Sequence, residues 1–144
     1  MGQFYMIVNI DKGEFLDPEG LFGFEAKFWN VANGYCMTGL AILLARGYSK
    51  KGTWFGDRIA IVEDGGYYPA TELVKPYLDA AGAPDDSPGR KKKLLYNAAM
   101  YGKDITCEIL EYFKNETEFV IDEGWPEHYV PRIERVCENN DSDD

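Results

Sequence analysis

Apolar residues in this chain come first as an unbroken run. Positions 4–10 (Phe-Tyr-Met-Ile-Val-Asn-Ile) are apolar or β-prone almost throughout, and Asp11-Lys12-Gly13-Glu14 separates them from Phe15-Leu16. This predicts a β-hairpin, with Gly13 where positive φ is tolerated. A strand without polar alternation is covered on both faces, so it belongs in the middle of a sheet.

Helical rhythm follows. Phe28, Trp29 and Val31 among several glycines predict a short helix over 25–31. Residues 37–45 are apolar nearly all round and predict a helix buried on most sides, with Arg46 answering the C-terminal dipole and Gly47 as its stop. Residues 59–62 (Ile-Ala-Ile-Val) predict a short buried strand. Thr71 caps an expected helix over 72–81, in which Pro76 requires a kink or a late start. Residues 82–89 read as a linker. Ser87-Pro88 has the signature of a helix start, expected to run through Arg90-Lys91-Lys92-Lys93 to Tyr101. Asp104 caps the next helix, on which Ile105, Ile109, Tyr112 and Phe113 share a face. Beyond it the pattern predicts a strand over 118–122, a helix over 131–138 and a frayed acidic tail over 139–144.

Strands early and midway, helices between and after, and no βαβ repetition indicate an α+β fold. The expected architecture is a small mixed or antiparallel sheet with an N-terminal β-hairpin, one buried apolar helix and further helices packed on one face. A chain of 144 residues buries about two-thirds of its unfolded surface. One domain, 1–138, followed by the tail 139–144, is expected.

Charge changes this picture most. Residues 104–144 hold 13 Asp/Glu against 3 Lys/Arg, a net of −10, whereas residues 1–103 hold 12 of each, a net of zero. The asymmetry argues against direct nucleic-acid binding and for a basic protein partner or plain solubility. The one basic cluster, Arg90 to Lys93, stands where a helix dipole would oppose it, and the acidic C-terminal region is its simplest counter-surface.

Catalytic and cofactor signals are sparse. No G-x-G-x-x-G or P-loop occurs, so no nucleotide cofactor is expected. Three cysteines, none in C-x-x-C, and a single His do not make a zinc knuckle; no metal is expected, and reduced thiols suit a cytoplasmic protein. Cys36, at a helix start, could be a nucleophile activated by the helix dipole and paired with His128, with Glu127 and Glu134 as possible orienters. Asp57 and Arg58 are neighbours on a strand and point to opposite faces, with Asp57 expected to cap a turn and Arg58 to meet an acidic helix. Asp57, Glu63 and Asp64 have no EF-hand spacing. The longest apolar stretch falls short of the ~20 residues that cross a bilayer, so no membrane association is expected.

The opening Met-Gly-Gln-Phe-Tyr-Met-Ile-Val-Asn together with Trp54-Phe55-Gly56-Asp57-Arg58-Ile59 resembles a pattern in uncharacterised small prokaryotic proteins, over about the first 64 residues. The resemblance implies a prokaryotic or phage origin and carries no activity. The functional expectation is a non-enzymatic acidic protein that binds another protein, of the inhibitor, immunity or nucleic-acid-mimic type. Its contact surface would be Glu118, Asp122, Glu123, Trp125, Glu127 and Tyr129. The alternatives are a cysteine hydrolase using Cys36 and His128, and a homo-oligomeric structural module.

Overall fold

The computed structural model describes residues 4–18, 28–32, 35–47, 52–65 and 69–115. The chain divides into two compact units, Met1–Asp104 and Ile105–Asp144.

The first unit is built on a four-stranded sheet. β1 (Tyr5–Asn9) and β2 (Glu14–Leu16) form the hairpin, and β3 (Ile59–Glu63) and β4 (Lys103–Asp104) flank it in the order β3-β1-β2-β4. β1 runs antiparallel to β2 and to β3, while β2 and β4 are parallel, so the sheet is mixed. Gly13 closes the hairpin at φ 65°, and its N–H donates to the Asn9 carbonyl at 2.9 Å.

Both faces of β1 are buried, as its unbroken apolar run requires. On one face Met6, Val8 and Ile10, with Phe15 of β2, pack against two helices, α3 (Val74–Ala81) and α4 (Leu95–Ala99). α3 supplies Val74, Tyr77 and Leu78, and α4 supplies Leu95, Ala98 and Ala99, each at i, i+3, i+4 spacing. Burying each large side chain contributes roughly 1.5–3 kcal/mol. On the other face lie Ile7, Asn9 and Leu16, all at 0% exposure. α1 (Phe28–Ala32) approaches this face, where the Phe28 ring meets Tyr5 edge-on at 5.4 Å. Trp54 buries its ring completely and donates its indole N–H to Glu14 at 2.7 Å. The turn carrying Trp54 is stitched to α2 (Tyr35–Leu44) by N–H bonds from Gly52 and Trp54 to the carbonyls of Ile42 and Leu43. Helices therefore cover the sheet on two faces, not one.

Several elements depart from the sequence pattern. β3 is an edge strand with Ile61 42% exposed, because it pairs with β1 alone. α2 buries Cys36, Gly39, Ile42 and Leu43 but exposes Ala41. It ends without a left-handed Gly47, and Arg46 lies over the Phe55 ring at 5.0 Å. α3 does start late: a 3-10 turn, Thr71–Leu73, precedes it and Pro76 falls in its first turn, where no N–H is needed. Thr71 does not cap; its hydroxyl donates to the Lys93 carbonyl at 2.7 Å. That bond, with Leu95 N–H to the Pro69 carbonyl at 3.0 Å, splits the expected helix over 88–101. The result is a 3-10 turn (Pro88–Lys91), an extended link through Lys92, and α4. Asp104 is a strand residue rather than a cap.

In the second unit the described element is α5 (Thr106–Asn115). Ile109 and Leu110 are buried on it, as is Ile105 just before it, and Glu108 and Glu111 are exposed. The expected strand over 118–122 and helix over 131–138 lie outside the described residues.

β4 and the hairpin meet at a close packing of glycines. Lys103 N–H donates to the Gly13 carbonyl at 2.8 Å, so Gly102 lies where any Cβ would strike the Tyr77 hydroxyl and the Gly13 carbonyl. Tyr77 in turn donates its hydroxyl to the Ala99 carbonyl at 2.8 Å. Gly102→Ala is expected to destabilise the protein by about 1–3 kcal/mol through overpacking. Tyr77→Phe, which loses only the hydrogen bond, should cost about 1 kcal/mol. Urea denaturation of both variants gives the comparison.

Candidate functional site

A cleft of about 410 Å³ opens between α3 and the loop 82–92. Its shape begins with the end of α3. Gly82 adopts φ 75° and donates to the Asp79 carbonyl, while Ala83 N–H donates to the Leu78 carbonyl, which turns the chain back. Arg90 then fastens the returning loop. Its Nε donates to the Pro84 carbonyl at 3.0 Å, Nη2 to the Ala83 carbonyl at 2.5 Å, and Nη1 to Asp79 at 2.7 Å. Lys75 donates to the other Asp79 oxygen at 2.7 Å. The Lys75 hydrogen bond, and after it that of Arg90, holds the Asp79 carboxyl below its ordinary range. The remaining walls are Thr71, Val74, Asp85 and Lys92. Asp85 and Lys92 have no ion pair among the described residues. No His or Cys lines the cleft, and its chemistry is that of ion pairing and hydrogen bonding.

The basic cluster is thereby resolved into two parts. Arg90 is a fastening for the loop, and Asp79 is its counter-charge among the described residues. Lys91, Lys92 and Lys93 are exposed, and the expected conflict with a helix dipole is absent because α4 starts only at Leu95. Sequence reasoning missed the cleft, although Lys75 and Asp79, four residues apart on α3, form one side of it.

Asp57 and Arg58 do not pair with each other. Asp57 accepts from Asn9 Nδ2 at 2.9 Å and sits 3.3 Å from Lys12. Arg58 meets Asp11 of the hairpin turn, not an acidic helix, through its backbone N–H at 2.7 Å and its Nε at 2.8 Å. The Arg58 backbone N–H first, and its side chain second, hold the Asp11 carboxyl below its usual value. These groups close the end of the sheet. Among the described residues no group of His, Cys, Asp or Glu could hold a metal ion.

Cys36 lies at 0% exposure on α2. Burial first, and the negative Asp17 second, push its thiol up to about 12. Those surroundings oppose the thiolate that a hydrolase requires. Its expected partner His128, the orienters Glu127 and Glu134, and the surface residues Glu118, Asp122, Glu123, Trp125 and Tyr129 lie outside the described residues.

Two measurements follow from these surroundings. Cys36 should resist iodoacetamide in the folded protein at neutral pH and react on unfolding. Because its folded pKa is raised, the stability it contributes is complete below its ordinary value near 9 and is lost as pH rises toward about 12, at up to about 1.4 kcal/mol per pH unit. Cys36→Ala should flatten the alkaline fall of stability just above pH 9, before Tyr77, also raised by burial from its ordinary value of 10, adds its own. At the cleft, Arg90→Ala should cost about 1 kcal/mol, a Tm lower by roughly 4–8 °C. Arg90→Lys should not restore it, because one ammonium cannot make three directed bonds. No family model matches the chain, and no curated protein or solved structure matches it.

Proposed function

We propose that this chain is a non-enzymatic, acidic binding protein that acts through contact with a basic protein, in the manner of an inhibitor, an immunity protein or a nucleic-acid mimic. The observation that carries the reading is the coincidence of two boundaries. The compact units meet between Asp104 and Ile105, and the charge divides there as well. Residues 1–104 hold 13 acidic and 12 basic side chains, a net of −1, while residues 105–144 hold 12 and 3, a net of −9.

A charge confined to one unit gives that unit a strong negative field, which speeds encounter with a basic surface and rejects anionic ones. On α5 the field is displayed by the exposed Glu108 and Glu111, opposite the buried Ile109 and Leu110. Glu118, Asp122, Glu123 and Glu127 would continue it, with Trp125 and Tyr129 as aromatic anchors. The raised thiol of Cys36 and a cleft without His or Cys favour binding over hydrolysis. Among the described residues no helix is long and apolar enough to cross a membrane.

The test is charge reversal. Partners captured from a host lysate by the wild-type chain are measured against a variant with Lys at 118, 122, 123 and 127. The association rate at low salt should fall about tenfold or more, and its salt dependence should flatten. Unchanged rates rule out that surface.

A further inference from the structure

The two edges of the sheet are unlike. β4 is two residues long, Lys103 and Asp104, both charged and exposed. β3 is Ile-Ala-Ile-Val-Glu, without Pro or Lys, and its central Ile61 is 42% exposed. Short charged edges resist pairing, whereas longer apolar ones invite it, and the one charge on β3, Glu63, stands at its end.

Hydrogen-bond parity tells which groups of β3 face outward. Beyond the two ends of the β1–β3 ladder, Asp64 N–H donates to the Phe4 carbonyl at 3.1 Å and Ile10 N–H to the Arg58 carbonyl at 2.9 Å. Alternation between these ends directs the backbone groups of Ala60 and Val62 toward β1. Those of Ile59, Ile61 and Glu63 therefore point away from it, and among the described residues no strand lies beyond them.

We propose that β3 pairs antiparallel with β3 of a second copy, about a two-fold axis at Ile61, so that one sheet continues across a dimer. Three features select this occupant and this register. The outward groups are symmetric about Ile61, so every N–H of Ile59, Ile61 and Glu63 meets a carbonyl of the second copy. Ile61 lies beside its own equivalent, on the face that holds Ile7, and its exposed side chain leaves water. Arg58 and Asp64 are equidistant from Ile61, so each falls opposite the other's equivalent and an opposite-charge pair closes both ends. Arg58 gives its backbone N–H and Nε to Asp11, leaving its Nη groups for this contact. Asp64 accepts Phe4 N–H on Oδ1, leaving Oδ2. An unrelated extended peptide could satisfy the backbone but would not place the right charge at both ends. The proposal is independent of the acidic binding surface.

Sedimentation equilibrium of the full chain tests it. The expected result is a concentration-dependent dimer whose dissociation constant rises at least about tenfold with Ile61→Lys. Ile61→Pro, which removes an outward N–H without touching the β1 ladder, should weaken the dimer likewise. Hydrogen exchange of the wild-type chain gives an answer even if a variant fails to fold: the Ile61 amide should slow as protein concentration increases. A monomer at every concentration, or a dimer that ignores Ile61→Lys and separates in high salt, overturns the proposal.

Discussion

The amide of Asn9 is the contact on which the arrangement of the first unit depends. It stands fully buried at the end of the central strand, and both halves of its side chain are engaged. Oδ1 accepts Lys12 N–H in the hairpin turn at 2.9 Å, and Nδ2 donates to Asp57, just before β3, at 2.9 Å. Leaving either half unpaired in the interior would cost about 1–3 kcal/mol. A strand that is apolar on both faces cannot set its own register, because Met6, Ile7 and Val8 are almost equally content on either side. A buried polar group with partners on both neighbouring segments removes that ambiguity. The same side chain that fixes the β1–β2 turn also fixes where β3 begins.

The charged groups of the first unit divide by task. Asp11, Lys12, Asp57 and Arg58 are tied to one another around the end of the sheet, and Lys75, Asp79 and Arg90 around the loop behind α3. Exposed ion pairs of this kind are individually worth little. Here they direct loop paths more than they add stability, because several are reinforced by backbone donors or acceptors. The net charge of this unit is close to zero because its acidic and basic side chains are nearly equal in number, and the negative excess is left to the other.

What the sequence disclosed and what it hid follow from how local each cause is. β1, the Gly13 turn and the presence of the apolar helix α2 are dictated by neighbouring residues and were legible, although α2 buries one stripe and not most of its sides. The late start of α3 was legible from Pro76. Ile-Ala-Ile-Val suits a central or an edge strand equally, so the position of β3 could not be read from its composition. Ser87-Pro88 opens a 3-10 turn as readily as an α-helix, and the choice is made by Thr71 reaching across to the Lys93 carbonyl. β4 is two charged residues with no strand signal, and it exists because Lys103 N–H finds Gly13. The cleft escaped for a similar reason: Arg90 is drawn to the end of α3 by carbonyls that only the folded loop brings together.

The pairing of β4 with β2 joins positions almost ninety residues apart in the chain. Closing a loop of that length carries a substantial entropic penalty, and nothing local rewards it until α3 and α4 are already in place. The three antiparallel-paired strands can assemble from residues up to Glu63, whereas the fourth must wait for Gly102 to reach the hairpin. Newly made chain emerging from a ribosome would thus hold an incomplete sheet for most of the synthesis of this unit, with the Gly13 carbonyl awaiting its donor until the residue that supplies it has been added.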